Sequence, residues 1–323
     1  MPTKNTISHR PNSSLSITAL PNADYHIPVL LQQALELLNI NPNGTYVDLT
    51  FGGGGHSSAI LQQLSPKGHL FAFDQDADAI KLASNFTAPN FSFIESNFRF
   101  LRAQLRLRGI SHVDGILADL GVSSHHFDDP NRGFSFRFDA PLDMRMNQRA
   151  TLSAQHIINS YNPQQLAFIL SAWGELQSPL KIANLIIRER NINPILTSNQ
   201  LIKAVEPCTP KKDPNKFYSK LFQALRIEVN HEMSALQMAL EQSAKVLAPG
   251  GRLVVIAYHS IEDRIVKNFM RSGNCNGNIS KDFFGNISTP FELITRKAVV
   301  PSDSEIAHNS RARSAKLRAV SKL

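Results

Sequence analysis

The chain has 323 residues, of which 42% are hydrophobic and 19% are charged, and this composition excludes a disordered protein. No apolar run approaches the roughly 18 residues that cross a bilayer, which argues against an integral membrane protein. Two cysteines, Cys208 and Cys275, are too few for a disulfide framework or a cysteine-based zinc finger. The net charge of +8 favours a polyanionic partner.

The first half of the chain alternates short apolar runs with amphipathic stretches. Residues 1–24 come first and are rich in serine, asparagine and proline, so we interpret them as a disordered tail, with a transit peptide as the alternative. They lack the apolar core of a signal peptide. Short strands separated by helices of about ten residues predict βαβ units and a doubly wound, Rossmann-like parallel sheet. The four predicted strands of this part span residues 45–50, 69–74, 91–95 and 113–120.

The alternation stops after the fourth strand. Residues 122–147 have a loop-like composition, and residues 151–205 carry helical periodicity only. One long helix is predicted over 221–247, and a strand over 252–258 then resumes the sheet. The α/β domain is therefore predicted to be discontinuous, with a small helical domain inserted for substrate recognition. The predicted boundaries are 25–127 and 215–323 for the α/β domain and 128–214 for the insertion.

A glycine run follows the first strand, in the sequence DLTFGGGGH from Asp48 to His56. Consecutive glycines at a strand-to-helix turn let the backbone approach a ligand closely. The next strand ends in Asp74, where a carboxylate can accept both hydroxyls of a ribose. These features predict an adenosine-type cofactor. Asp48 ahead of the glycines favours an S-adenosylmethionine methyltransferase, and a nucleotide-dependent dehydrogenase is the alternative.

Eight longer blocks stand out between residues 26 and 318. They are HIPVLL from His26, DLTFGGGGH from Asp48, DLGVSS from Asp119, RGFSF from Arg132, PLDMRM from Pro141, FQALRI from Phe222, HSIEDR from His259 and RARSAKLR from Arg311. In this order they resemble the MraW (RsmH) family, bacterial enzymes that methylate N4 of a decoding-centre cytidine in small-subunit (16S) ribosomal RNA.

The resemblance implies a cofactor, a partner and a set of contacts. The cofactor would be S-adenosylmethionine, and the partner 16S rRNA or the small ribosomal subunit, with no obligatory protein partner, no metal and a cytoplasmic location. A non-catalytic RNA-binding protein of ribosome assembly is a further alternative. The family's cofactor contacts fall on Gly54, Gly55, His56, Asp74, Phe98 and Asp119, and on His126, where the family has glutamine.

Two residues at the carboxyl edge of the predicted sheet are the tentative catalytic residues. Asp119 closes the fourth strand, and an acceptor there can hold the N–H groups of a cytosine amine and aim its nitrogen at the methyl group. His259 follows the strand over 252–258 and either lines the substrate pocket or is structural. Ser260, with Asp263 three residues later, predicts a helix cap rather than a hydrolase triad.

Aromatic and basic residues supply two hypotheses for RNA contact. Phenylalanines and arginines are interspersed after residue 126, where the rings can stack a base and the arginines can hold phosphates, or the segment is a buried edge strand. The basic residues after 310 either contact RNA or are solvated. The residues of the first group are Phe127, Phe134, Phe136, Phe138, Arg132, Arg137 and Arg145; those of the second are Arg311, Arg313, Lys316, Arg318 and Lys322.

Overall fold

A computed structural model of the chain describes residues 28–121, 129–281, 283–285 and 288–323. The predicted N-terminal tail lies outside these residues, as do His126 and Phe127. Within the described ranges no helix is both long and apolar enough to cross a membrane.

A seven-stranded sheet has the order β3-β2-β1-β4-β5-β7-β6. Its first five strands are parallel, and β7 lies antiparallel between β5 and β6. The Rossmann-like fold is therefore confirmed, with an antiparallel edge that the parallel-sheet prediction did not include. The strands are β1 Thr45–Asp48, β2 His69–Asp74, β3 Phe91–Glu95, β4 Val113–Asp119, β5 Leu247–Ala257, β6 Phe291–Leu293 and β7 Lys316–Lys322.

Helices cover both faces of the sheet, and the helices from the middle of the chain pack with one another as a separate group. The helices along the sheet are α1 Leu31–Leu38, α2 Gly55–Leu61, α3 Ala77–Ala83 and α4 Leu101–Leu107. Those of the middle region are α5 Ala154–Ser160, α6 Pro163–Ala172, α7 Pro179–Arg190, α8 Ser198–Val205 and α9 Pro214–Asn230. Those that return to the sheet are α10 Glu232–Val246, α11 Ser260–Ser272 and α12 Asp303–His308.

The central strands read as continuous apolar runs because both of their faces are buried. In β2, Leu70 packs with α1 and α2 on one face, and Phe71 packs with α4, α10 and α11 on the other. Val254 and Val255 divide between the same two layers in β5. This packing fixes the register of the strands, so the carboxyl ends of β1, β2 and β4 meet at one edge.

The middle helices pack around an apolar core of their own. Leu166, Ile182 and Leu201 lie in this core, and so do Phe134 and Leu142 from the loop that precedes the helices. Helix α9 contributes to the same core, so the packing of the helical region continues past residue 214 as far as Val229. The assignment of this region to substrate recognition stays a prediction.

The prediction of one long helix over 221–247 is wrong. His231 adopts a left-handed conformation with φ of 51°, which ends α9 and begins α10. Its N–H donates to the carbonyls of Glu228 and Ile227, as a helix terminus requires. Apolar periodicity continues across such a break because one left-handed residue changes the direction of the chain without disturbing the pattern on either side.

Candidate functional site

The candidate site lies where β1, β2 and β4 end. The strand order reverses between β1 and β4, since the chain adds β2 and β3 on one side of β1 and β4 on the other. Ligands of open α/β sheets bind outside the carboxyl ends of the strands at this point. Asp48, Asp74 and Asp119 are the last residues of these three strands. Sequence reasoning had singled out all three, and the fold brings them to the same edge.

The glycine turn after β1 is shaped by its packing as well as by any ligand. Gly54 has a φ of +74°, and a Cβ there would lie 2.7 Å from the ring of Phe86. A Cβ on Gly55 would lie 2.2 Å from Cγ of Pro28. Gly52, with φ of +50°, has no atom closer than 3.9 Å to such a Cβ. The protein itself therefore requires glycine at positions 54 and 55, a reason that the sequence pattern alone does not give.

The carboxylate of Asp74 closes this turn from the neighbouring strand. The backbone N–H of Gly52 donates to its Oδ2 at 2.9 Å. The N–H groups of Gln75 and Asp76 donate to its Oδ1 at 2.7 and 3.0 Å. A carboxylate can accept about four hydrogen bonds, so these three fix the orientation of Asp74 and leave acceptor capacity for about one further donor.

Asp48 lies beneath the turn and is fully buried. Its Oδ2 accepts a hydrogen bond of 2.6 Å from the hydroxyl of Ser57, and its Oδ1 accepts one of 3.0 Å from the N–H of Thr50. Burial raises the pKa of Asp48 to about 6 despite these donors. Because no ligand can reach a side chain that is fully enclosed, Asp48 acts on the site through its charge and through the turn that it holds.

Asp119 is partly accessible, with 23% of its side chain exposed. The hydroxyl of Tyr258, at the end of β5, donates to its Oδ1 at 2.7 Å. Nδ1 of His56 lies 3.6 Å from its Oδ2. Burial raises the pKa of Asp119 to about 7, against the hydrogen bond from Tyr258. Burial also lowers the pKa of His56 to about 4, so this imidazole is neutral at pH 7.

The three carboxylates form a negative cluster without a basic partner. Among the residues that the structure describes, no lysine or arginine forms an ion pair with Asp48, Asp74 or Asp119. Burial also raises the pKa of Asp74. The charge of Asp74 adds to the rise in the pKa of Asp48, and the charge of Asp48 adds to the rise in the pKa of Asp119. Such a cluster favours a cationic ligand, because the ligand's charge replaces the missing counter-ion.

Phe98 follows the end of β3. It begins a short 3₁₀ helix, Phe98–Phe100, whose N-cap is Asn97. The side-chain amide of Asn97 donates to Oε1 of Gln75 at 3.1 Å, which joins the segment after β3 to the segment after β2. Phe98 and Asp74 are therefore held on adjacent segments, as two contacts to one nucleoside require.

His259 caps a helix, and the cap predicted at Ser260 is wrong by one residue. Nδ1 of His259 accepts a hydrogen bond from the N–H of Glu262, and the Glu262 carboxylate accepts one from the N–H of His259. Nε2 of His259 also lies 3.1 Å from Oε1 of Glu262. These contacts favour the structural alternative for His259. The sequence pattern misplaced the cap because a serine is a commoner N-cap residue than a histidine.

His259, Glu262 and Glu232 place three ligand-type atoms within 4.8 Å of one another. They are already engaged, since Arg226 donates to both carboxylate oxygens of Glu232 at 2.8 and 2.9 Å. Burial alone would raise the pKa of Glu262, but His259 and Arg226 outweigh it and hold that pKa below its usual range. The cluster is a buried ion-pair network that ties α9 and α10 to α11.

The arginines proposed to hold phosphates are mostly occupied within the protein. Arg132 is buried against acidic residues, and Arg145 donates to both carboxylate oxygens of Asp143 at 2.7 Å. Arg137 is exposed. The prediction therefore survives only for Arg137, because the sequence does not reveal which arginine has an acid beside it in space.

Two of the three described phenylalanines of the same segment pack inside the protein, and none of the three lies in a strand. Phe134 is buried in the helical core, and Phe136 packs against Tyr218 and Phe222. Phe138 alone among the three is substantially exposed. Both hypotheses for the Phe-rich segment are therefore wrong for Phe134 and Phe136, since the middle helices supply an apolar surface for them.

The basic C-terminal segment forms strand β7 and is partly neutralised. Arg318 Nε donates to Oδ1 of Asp263 at 2.7 Å, and Lys316 Nζ donates to its Oδ2 at 3.2 Å. Simple solvation therefore does not describe these two residues, and contact with RNA stays a prediction. Alternating apolar residues at Leu317 and Ala319 were the sequence signal for this strand.

Sequence reasoning missed two residues that shape the site. They are Tyr258, which donates to Asp119, and Ser57, which donates to Asp48, and neither was among the candidate residues. Their positions directly after β5 and in the first turn of α2 were the available signal, because both places face the carboxyl edge of the sheet.

Comparison with known proteins gives one family along the chain. The model of the MraW methylase family matches residues 23–323. A protein named ribosomal RNA small subunit methyltransferase H from Bacteroides fragilis is 52% identical over 298 residues, which cover 92% of this chain and 97% of the relative. Proteins of the same name from Parabacteroides distasonis and Flavobacterium johnsoniae are 52% and 51% identical, and each alignment covers 93% of this chain and 98% of the relative.

Proposed function

Because this chain belongs to the MraW methylase family, we propose that it transfers a methyl group from S-adenosylmethionine to N4 of a decoding-centre cytidine in 16S rRNA. The relatives' name supports a small-subunit rRNA substrate, and such a substrate implies action in the cytoplasm. The choice of cytidine N4 rests on the sequence blocks that resemble the family.

The observation that carries this proposal is the negative cluster of Asp48, Asp74 and Asp119. S-adenosylmethionine carries a sulfonium and an ammonium group, which suit three carboxylates that lack a basic partner within the described chain. A dinucleotide would instead bring its anionic pyrophosphate to these carboxylates, and like charges in a buried site repel strongly. The cluster therefore favours a methyltransferase over a dehydrogenase.

The bound cofactor would supply an activated methyl group, and the residues of the site would position it. Asp74 would accept a ribose hydroxyl, with Gly52 to Gly55 forming the wall beneath the rest of the cofactor and Phe98 flanking its base. The neutral imidazole of His56 adds no positive charge beside the cationic cofactor.

Asp119 would hold the cytidine amine. Its Oδ1 is engaged by Tyr258, so Oδ2 is the oxygen that can accept an N–H of the exocyclic amine. That contact would turn the nitrogen lone pair out of conjugation with the ring and towards the methyl group. The new C–N bond forms as the S–C bond breaks, and the methylated amine then releases its proton to water. No strong general base is needed.

Mass spectrometry of rRNA nucleosides tests the reaction, the atom and the substrate form together. The purified protein is incubated with S-adenosylmethionine and either naked 16S rRNA or 30S subunits from a strain that lacks the enzyme. We expect N4-methylcytidine to appear in at least one of these substrates. Methylation of another atom would contradict the proposed chemistry.

Two control measurements separate the alternatives. Isothermal titration with S-adenosylhomocysteine and with NAD should give micromolar binding for the first only. Micromolar binding of NAD alone would indicate the dehydrogenase. Binding of S-adenosylhomocysteine and RNA without methyl transfer to either substrate would indicate a non-catalytic assembly protein.

A further inference from the structure

Arg132 joins two segments that are distant in sequence. It lies in the loop that leads from the sheet into the helical region, and its Nη2 is 2.9 Å from Oδ2 of Asp76, at the N-terminus of α3. The Arg132 and Asp76 side chains are only 9% and 7% exposed, so the ion pair is buried. Nη1 of Arg132 also lies 3.6 Å from Oδ2 of the more exposed Asp78.

One end of this link reaches the proposed ribose carboxylate. The backbone N–H of Asp76 donates to Oδ1 of Asp74 at 3.0 Å. Oδ1 of Asp76 accepts from the N–H of Asp78 at 2.9 Å and so caps α3. Asp76 therefore uses its N–H to orient Asp74 and its carboxylate to hold both α3 and Arg132. A displacement of Arg132 would release the turn that orients Asp74.

The other end of the link reaches the helical region. Nη2 of Arg132 donates to the carbonyls of Arg145 and Met146 at 3.0 and 3.3 Å. The N–H of Met146 in turn donates to Oδ1 of Asn230 at 2.8 Å, and the Asn230 amide donates to the carbonyl of Met144 at 2.8 Å. The loop is thus tied to the end of α9, and a continuous chain of hydrogen bonds runs from Asp74 to Asn230.

We propose that Arg132 is a positioning residue that couples cofactor binding at Asp74 to RNA binding at the helical region. The inference rests on the proposed function, because it takes RNA as the second ligand. A buried guanidinium must keep its partners on both sides, so the turn at Asp76 and the loop at Met146 can be ordered together but not independently. Each ligand that orders one side therefore favours the order that the other ligand needs.

Four variants test the coupling: Arg132→Lys, Asp76→Asn, the double variant, and Arg145→Lys as a matched control. A lysine keeps the charge, but its Nζ ends one bond short of the Nη2 position that contacts Asp76 and the two carbonyls. Arg145 is an arginine of the same loop, and its partners Asp143, Gln148 and Ala150 all belong to that loop. Replacing the guanidinium of Arg145 would disturb the loop but would leave the ion pair between Arg132 and Asp76.

The measured quantity is the coupling factor between the two ligands. The Kd of S-adenosylhomocysteine is determined with and without a saturating amount of the rRNA substrate, and the Kd of the RNA with and without S-adenosylhomocysteine. In the unmodified protein we expect each ligand to tighten the other by the same factor, about fivefold or more. Arg132→Lys and Asp76→Asn should each bring the coupling factor close to one. The double variant should have the same coupling factor as either single variant, and Arg145→Lys should retain the coupling.

Thermal melting of each variant separates this role from a merely structural one. A lower melting temperature with an unchanged coupling factor would overturn the inference, as would independent binding of the two ligands to the unmodified protein. If the unmodified protein binds and methylates rRNA and only the coupling result fails, the proposed function stands and this inference is wrong. If it binds no rRNA, both are wrong.

Discussion

The hydroxyl of Tyr258 donates a 2.7 Å hydrogen bond to Oδ1 of Asp119, and this contact decides which face of the carboxylate a substrate can meet. Tyr258 follows β5 and Asp119 ends β4, and these two strands pair in parallel. The contact leaves Oδ2, beside His56, as the oxygen that faces the proposed methyl-transfer site. Because Tyr258 fixes one of the two oxygens, the orientation of an asparagine amide at position 119 can be predicted.

We expect Asp119→Asn to lower turnover by one to three orders of magnitude, at about 1.4 kcal/mol for each tenfold. Tyr258 would hold the amide oxygen, so the NH₂ group would face the N–H groups of the substrate amine. The kcat must be measured at saturating cofactor, since the same residue is also an expected cofactor contact. A rise in the KM for cofactor with kcat unchanged would assign Asp119 to binding alone.

The double variant Asp119→Asn/Tyr258→Phe is the matched control for this orientation effect. Without the tyrosine hydroxyl the amide can rotate and present its oxygen to the substrate. We therefore expect the double variant to recover part of the kcat that Asp119→Asn loses. Equal kcat values for the two variants would contradict the proposed orientation.

Cofactor affinity should increase as the pH rises from about 5 to 8. Burial raises the pKa of Asp48 to about 6 and that of Asp119 to about 7, so these groups are partly protonated in the free protein below pH 7. A cationic ligand stabilises their charged forms, lowers both pKa values and releases protons on binding. His56, with its pKa lowered to about 4, does not titrate in this range.

Isothermal titration in buffers of different ionisation enthalpy measures this proton release. S-adenosylmethionine should release more protons than S-adenosylhomocysteine, because only the former carries the sulfonium charge. Asp119→Asn should reduce the release. Proton uptake, or equal values for the two ligands, would argue against the negative cluster as the cation site.

Asp74→Ala should weaken cofactor binding by about 2–3 kcal/mol, the cost of hydrogen bonds to a charged group. The variant removes the proposed ribose acceptor and also the acceptor for the N–H groups of Gly52, Gln75 and Asp76. RNA affinity in the absence of cofactor should be nearly unchanged. Asp74→Asn keeps one acceptor oxygen and should therefore lose less cofactor affinity. An unaltered cofactor Kd in Asp74→Ala would refute the assignment of Asp74 to the ribose.

Asp263→Asn should lower the free energy of unfolding at pH 7 by about 1–3 kcal/mol, because Asp263 holds Arg318 and Lys316 of β7 against α11. Burial alone would raise the pKa of Asp263, but these two cations outweigh it and hold that pKa below its usual range. Because the pKa of Asp263 is lower in the folded protein than in the unfolded chain, where it is about 4, the stabilisation is fully present above that unfolded pKa. It is lost as the pH falls through the pKa of Asp263 in the folded protein.

Urea unfolding at pH 7 and at low pH tests this contribution of Asp263. The difference between Asp263→Asn and the unmodified protein should shrink as the pH falls. Glu292→Gln, at an exposed position on the neighbouring strand β6, is the control and should change little at either pH. A constant difference at both pH values would mean that the carboxylate charge of Asp263 does not act on stability.

The sequence by itself determined the parallel half of the sheet and the three strand-end carboxylates. The parts of β1, β2 and β4 that lead to the carboxyl edge are buried on both faces, so they appear as short apolar runs that each end in an aspartate. The Rossmann-like topology then places Asp48, Asp74 and Asp119 at one edge, because parallel strands share the direction of their carboxyl ends.

Only the tertiary structure decided which charged residues are available for function. Arg132 and Arg137 look alike in the sequence, yet Arg132 is buried against Asp76, which lies 56 positions earlier, and Arg137 is exposed. Tyr258 and Asp119 likewise meet across 139 positions of the chain. Ion pairs and hydrogen bonds depend on distances in space, and local patterns of polarity do not contain those distances.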